Sequence, residues 1–180
     1  MSCCILSFSS RKNGNCEQIG TYLQSMMPDA KFYRFSDFSV VPCGNCQYEC
    51  KEVSGGCVHQ DMEMTLLEAI VESDHTYFIV PNYCDYPCAN FFIFNERSLC
   101  YFRADPNRLD RYEAVPKKTI VISNTNEVNF VTALQYHGIK EKDILFLSSH
   151  AYNKDSMSND LLDVMQVKEK IWEFVHKKEG

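Results

Sequence analysis

A chain of 180 residues, 45% of them hydrophobic, is long enough to bury the core of one open sheet covered by helices on both faces and leaves no room for a second full domain, so residues 1–180 read as one domain. Eighteen basic against twenty-four acidic side chains give a formal charge of −6 without any lysine-rich or arginine-rich block. That balance argues against nucleic acid or an anionic membrane as a partner and favours a small ligand.

The opening stretch MSCCILSFSSRKNGN carries an apolar run with no basic region before it and no small-residue cleavage site, so it reads as a first strand rather than a signal peptide. No segment is apolar over the length needed to span a bilayer. A cytoplasmic protein is therefore expected. In that reducing compartment the ten cysteines read as free thiols, metal ligands or redox groups rather than as a disulfide framework.

Five short apolar runs recur along the chain: CCILSF (3 to 8), AKFYRF (30 to 35), HTYFIV (75 to 80), TIVIS (119 to 123) and DILFLS (143 to 148). The last three are nearly continuous hydrophobics, as in strands covered on both faces. Between the runs, Ile19, Leu23, Met26 and Met27 make one helical stripe, and Met62, Leu66, Leu67, Ile70 and Val71 make another. In the last segment Leu161, Leu162, Met165, Ile171, Trp172 and Val175 are expected on one buried face. Strand alternating with helix predicts an α/β fold with a doubly wound, five-stranded parallel sheet and right-handed crossovers. Two stretches interrupt the alternation: a cysteine-rich segment after the second strand, and the charged RADPNRLDRYEAVPKK (103 to 118), which reads as a solvated loop or a lid.

In a doubly wound sheet, ligands bind beyond the carboxyl ends of the strands. The loop there after strand one, SFSSRKNGNCEQIG, offers the hydroxyls of Ser9 and Ser10, the guanidinium of Arg11, the amides of Asn13 and Asn15, and Gly14, all ahead of a helix. A helix N-terminus supplies unpaired N–H groups and partial positive charge, which suit a phosphate. The spacing is neither that of the nucleoside-triphosphate P-loop nor that of the three-glycine dinucleotide fingerprint.

SSRKNGN resembles the S-x-R-x-x-G-N signature of the NADPH-dependent FMN reductases and the related iron-sulfur flavoproteins. The resemblance implies a flavodoxin-like fold with strand order 2-1-3-4-5, and a phosphate cradle of Ser9, Arg11, Asn13, Asn15 and Cys16. Cys16 stands where the family commonly has a serine or threonine, and a thiol is a weaker donor than a hydroxyl. After strand three, Pro81, Asn82 and Tyr83 resemble the loop that carries the isoalloxazine ring in that family. Tyr83 is the candidate for the ring face, and Asn82, Cys84 and Asp85 for the heteroatom edge. Ser123 and Asn124, after strand four, are further candidates for that edge. The family's helix ends near an Asp-Arg pair, for which Glu96 and Arg97 are the counterparts here. The aromatics Phe91, Phe92, Phe94, Tyr101 and Phe102 are assigned to core or to a dimer interface rather than to cofactor contact.

The segment PCGNCQYECKEVSGGC (42 to 57) holds Cys43, Cys46, Cys50 and Cys57. In the iron-sulfur flavoproteins a compact run of four cysteines binds a [4Fe–4S] cluster, but with two residues between the second and third thiols, where this chain has three. Three readings stand side by side: a cluster on these four sulfurs, a structural zinc site with or without His59, and free or redox thiols packed under a loop. Cys3, Cys4, Cys84, Cys88 and Cys100 read as small buried residues, with Cys84 also placed near the ring.

The resemblance thus implies an FMN-binding oxidoreductase, assembled as a homodimer or higher oligomer, that takes electrons from NAD(P)H and passes them to a small-molecule or protein acceptor. The alternatives are a flavin or iron-sulfur electron carrier without a nicotinamide site, and a thiol or metal sensor on the same scaffold.

Overall fold

Strands whose residues are buried on both faces need helices on both sides, and the computed structural model places them there. It describes residues 2–44, 46, 49–51, 57–59, 63–124, 134–135 and 137–177. The parallel strands are β1 (Cys3–Ser7), β2 (Ala30–Arg34), β3 (His75–Tyr83), β5 (Lys117–Ser123) and β6 (Ile144–Ser148), and β4 (Tyr86–Pro87) is a two-residue strand antiparallel to β3. Five helices are described: α1 (Asn15–Met26), α2 (Glu63–Val71), α3 (Ala89–Ala104), α4 (Asn107–Ala114) and α5 (Met165–His176). Among the described residues no helix is long and apolar enough to cross a membrane.

The sheet has six strands rather than five, and its order is β2-β1-β3-β5-β6 rather than 2-1-3-4-5. The extra strand comes from a hairpin in which Asn82 pairs with Pro87 and Tyr83 with Tyr86 around Cys84 and Asp85, whose φ angles are 52° and 66°. A two-residue hairpin loop of this kind needs positive φ at both central residues. With β4 set aside, the parallel strands follow the flavodoxin-like order. Pro81 sits in β3 two residues past Ile79, the last partner of β1, and has no N–H for the next ladder bond; the Phe8 carbonyl accepts instead from Asn90 Nδ2 at 2.8 Å and Cys88 Sγ at 3.3 Å.

Alternation along β1 divides the core in two. Cys4, Leu6 and Phe8 face α2, α3 and α4, packing with Leu67, Phe78, Phe94 and Tyr112. Cys3 and Ile5 face α1 and α5, packing with Ile19, Leu23, Val167 and Ile171. Phe8 is the hub of the first layer, with the rings of Phe35, Phe78, Phe91 and Phe94 at 5.7, 5.5, 5.1 and 5.4 Å. On the other face Gly20 allows α1 to close on β2, because a Cβ there would lie 2.3 Å from Phe32 Cζ.

Three sequence expectations change. The charged stretch expected as a loop or lid contains α4, whose Tyr112 is buried against the first core layer. Glu96 and Arg97 do not end a helix: α3 runs on to Ala104 because Ser98, Cys100 and Tyr101 extend its buried face. In α5 the buried stripe is Val167, Ile171 and Phe174, while Met165 and Trp172 are 65% and 53% exposed. The helix begins only at Met165, after a 3-10 turn at Leu161–Asp163, so the phase of the apolar stripe is set separately from Leu161. Of the aromatics assigned to core or to a dimer interface, Phe91, Phe94 and Tyr101 are fully buried, Phe102 packs on Tyr112, and Phe92 is exposed.

Candidate active site

Beyond the carboxyl ends of β1, β3 and β5, three loops and a fourth segment line a cleft. Its wall includes Ser9, Arg11, Asn15 and Cys16 from the first loop, Pro81, Asn82 and Tyr83 from the end of β3, and Ser123 and Asn124 after β5. The residues proposed from the sequence as a cradle and as a ring seat therefore share one wall. Asn13, Cys84 and Asp85 do not line it. Asn13 has φ 57° and turns the chain into α1, its N–H donating to Glu17 Oε2 at 2.7 Å. Cys84 and Asp85 are spent on the hairpin turn and are exposed.

The N-cap of α1 is Gly14, at φ −80°, which has no side chain to cap the helix. The first-turn N–H groups of a helix have no partners within it, and here that turn lies on the cleft wall. Glu17 brings a carboxylate to the same turn, but its charge is countered by Arg34 at 2.6 Å. Asn15 is 4% exposed and ties the helix to the chain after β6: its Nδ2 donates to the Ser156 carbonyl at 3.1 Å and its Oδ1 accepts from Leu161 N–H at 3.1 Å. Burial pushes the Cys16 thiol up to about 12, with Cys88 nearby adding to the effect and the Ser9 hydroxyl and Arg11 opposing it. Cys16 is thus a protonated thiol on the cleft wall and not a nucleophile.

The segment 149–161 is the part the sequence reading missed. It straps the cleft shut on the α1 side and contributes Ser156 and Met157 to its lining. Arg11 holds it through four neutral acceptors: Nη1 to the Ser156 carbonyl at 3.2 Å and to Met157 Sδ at 3.1 Å, and Nη2 to the Met157 carbonyl at 3.1 Å and to Asn159 Oδ1 at 2.7 Å. Among the described residues no carboxylate pairs with Arg11. Its charge at the cleft is therefore available to an anion. Asn124 secures the other end, its Oδ1 accepting from Ser156 N–H at 3.1 Å and from Ser149 Oγ at 2.8 Å. The density of Asn, Asp and Ser in SHAYNKDSMSND was the available signal, since such residues build tight turns. Nothing local to it indicated contact with Arg11, well over a hundred positions earlier in the chain.

The ring-seat side is more open. Asn82 Nδ2 donates to Ser123 Oγ at 2.8 Å, which fixes the amide so that its Oδ1 is buried without a hydrogen-bond partner among the described residues. A buried acceptor left in this state costs about 1–3 kcal/mol, which a donor on a ligand edge would recover. Tyr83, at 53% exposure, presents an aromatic ring at the cleft, and burial and the nearby Cys16 and Cys88 raise its hydroxyl pKa.

The cysteine segment lies apart, on α3. Cys46 is buried and Cys43, Cys50 and Cys57 are half-buried, and all four are free thiols. Cys43 N–H donates to Glu96 Oε2 at 3.1 Å, and Arg97 donates to the Val41 carbonyl at 2.7 Å. Among the described residues no group of three or more His, Cys, Asp or Glu side chains is arranged to hold a metal ion, so the four sulfurs do not form a ligand set there. His59 instead bonds the Gly44 carbonyl through Nε2 at 3.3 Å. Of the remaining cysteines, Cys3, Cys4, Cys88 and Cys100 are buried as expected, but Cys84 is exposed.

Strand order defines the chain as a flavodoxin-like α/β protein with a cleft at the carboxyl ends of its strands. No protein-family model matches it, and no curated protein matches its sequence. Solved structures do match. The Trp repressor binding protein from Bacillus subtilis superposes with a TM-score of 0.68 at 12% identity, covering 98% of this chain and 99% of that one. RosB, solved with bound 8-demethyl-8-formylriboflavin-5'-phosphate, gives 0.59 at 11% identity over 99% and 82%. FerB from Paracoccus denitrificans, a flavoenzyme NAD(P)H:(acceptor) oxidoreductase, gives 0.51 at 14% identity over 82% and 75%. At these identities the likeness is one of fold.

Proposed function

We propose that the cleft binds FMN and that the protein is a flavin-dependent oxidoreductase, drawing electrons from NAD(P)H and delivering them to a small-molecule or protein acceptor. The observation that carries this reading is the pairing, across one cleft, of a helix N-terminus whose N-cap is a glycine beside Arg11, which among the described residues pairs with no carboxylate, and a fixed Asn82 amide whose buried oxygen has no partner among those residues. The first matches a phosphate and the second a polar ring edge bearing an N–H. Two neighbours in fold, RosB and FerB, are described as a riboflavin-phosphate binder and a flavoenzyme, which supports the same reading.

Bound flavin would supply the hydride and electron chemistry. The chain's own work is positional. The α1 N-terminus, Ser9 and Arg11 neutralise and orient the phosphate, while Asn82, held by Ser123, accepts from the ring edge. Tyr83 covers a ring face, and the strap from Ser149 to Leu161 keeps water from the phosphate side.

Titration of the flavin-free protein with FMN and with riboflavin, followed by flavin fluorescence, tests the assignment. Charge-assisted phosphate contacts are worth about 1.5–3 kcal/mol, so FMN is expected to bind at least ~10-fold more tightly than riboflavin, and Arg11→Ala should remove most of that difference. Equal affinity for the two flavins, or no binding of either, overturns the proposal. Anaerobic bleaching of the loaded protein by NADPH or NADH then distinguishes an enzyme with a nicotinamide site from an electron carrier.

A further inference from the structure

A surface helix needs one apolar face, and α3 has two. Its inner face carries Phe91, Phe94 and Tyr101, all fully buried, while Phe92 and Leu99 on the outer face are 45% and 41% exposed. Together with Glu96 and Arg103, which are also exposed, they recur at i, i+4, i+7 and i+11 and so fall within about 60° of arc. That spacing is the seam along which one helix packs on another. Half-buried Ile93 and Phe102 flank the seam. Exposed Val41 adjoins it: its carbonyl accepts from Arg97, and the Cys43 N–H donates to Glu96. Arg103 has no ion-pair partner among the described residues.

We propose that this face is the interface of a homodimer, in which two copies of α3 pack antiparallel about a two-fold axis at Leu99. The stripe is self-complementary about that point. An axis there sets Leu99 against its own copy, and Glu96 falls within one residue, about 1.5 Å along the helix, of the partner's Arg103. The two-fold makes that ion pair twice. Parallel packing would instead set Glu96 on Glu96 and Arg103 on Arg103, so the charges select the antiparallel arrangement. An unrelated partner would need a matching pattern of its own, whereas a second copy already carries it. α3 begins beside the first loop of the cleft, where Asn90 Nδ2 donates to the Phe8 carbonyl and to Ser10 Oγ. The ten residues from Ala89 to Leu99, taken twice across the axis, separate these two beginnings by roughly 30 Å. Both clefts stay open in the dimer, and the interface does not rest on the FMN reading.

Sedimentation velocity of the full-length protein over about 1–100 µM tests the assignment. Wild type is expected to dimerise. Glu96→Arg brings arginine against arginine at both ion pairs, and Arg103→Glu brings carboxylate against carboxylate. Each alone should raise the dimer dissociation constant at least ~10-fold. Mixed in equal amounts, the two variants restore opposite charges at both pairs and should dimerise with each other. Leu99→Arg should remain monomeric, with circular dichroism confirming that each variant is folded. If a variant does not fold, hydrogen exchange of wild type decides, because amides of α3 should gain protection as the concentration rises. A wild-type monomer throughout the range, a dimer that Leu99→Arg and both charge reversals leave intact, or a mixture of the reversals that stays monomeric overturns the proposal.

Discussion

Lowering the pH from 7.5 to 5 will destabilise the protein through His137, a 3%-exposed residue among the rings of Phe78, Phe91 and Phe94. Its Nε2 contacts Asn95 Oδ1, an acceptor, so Nε2 carries the proton and Nδ1 accepts from the Tyr112 hydroxyl at 2.8 Å. Both ring nitrogens are satisfied in the neutral form. Burial first, and the charge of Lys117 second, lower the imidazole from 6.5 to about 4. In that interval the unfolded chain binds a proton that the folded one refuses, so stability rises with pH there. The contribution is complete above 6.5 and is lost as the pH falls towards 4. At about 1.4 kcal/mol per pH unit the whole interval corresponds to ~3 kcal/mol, of which ~2 kcal/mol is lost by pH 5.

Urea unfolding followed by circular dichroism at pH 7.5 and 5, on wild type and His137→Gln, measures this directly. Glutamine keeps a donor for Asn95 and an acceptor for Tyr112 but cannot titrate, and the carboxylates common to both proteins cancel in the comparison. The variant should lose ~2 kcal/mol less than wild type over the interval. Equal losses, within about 0.5 kcal/mol, would refute the claim that a buried neutral imidazole sets this dependence.

Asn15→Ala leaves the buried Leu161 N–H and the Ser156 carbonyl without their side-chain partners, and should cost about 2–4 kcal/mol in chemical denaturation together with faster proteolysis of the strap. Gly20→Ala forces a methyl against the Phe32 ring and should lower stability by about 1–3 kcal/mol with no change in flavin affinity. Met157→Glu puts a carboxylate beside Arg11, where the thioether now accepts at 3.1 Å. It should weaken FMN binding at least ~10-fold while leaving riboflavin binding nearly unchanged, as the two titrations would show.

What the sequence made legible follows from the range of the interactions. Continuous apolar runs such as TIVIS are local signals, and β5 spans Lys117–Ser123 as that run required. The cradle was legible because its polar groups crowd into one strand-to-helix turn. Tyr83-Cys84-Asp85-Tyr86 was misread because it lacks the asparagine and glycine that usually mark a two-residue hairpin; the turn instead accepts a cysteine at φ 52°, a conformation that costs an L-residue about 1–2 kcal/mol. In 103 to 118 the charge hid a short helix, since Tyr112 alone is buried within it and a single anchor leaves little periodicity to detect.

The strap was illegible for another reason. It joins residues far apart in sequence, Arg11 with Asn159, and so has no local pattern. Arg11 contacts four neutral oxygen and sulfur atoms, an arrangement that holds a loop while leaving the cation's charge uncompensated, as an anion-binding cleft requires. Arg97, by contrast, is fully buried and donates to the Val41 carbonyl and to Cys57 Sγ. Of these two guanidiniums Arg11 lines the cleft and Arg97 does not, so burial has given one to the packing of α3 and left the other where a ligand's charge would meet it.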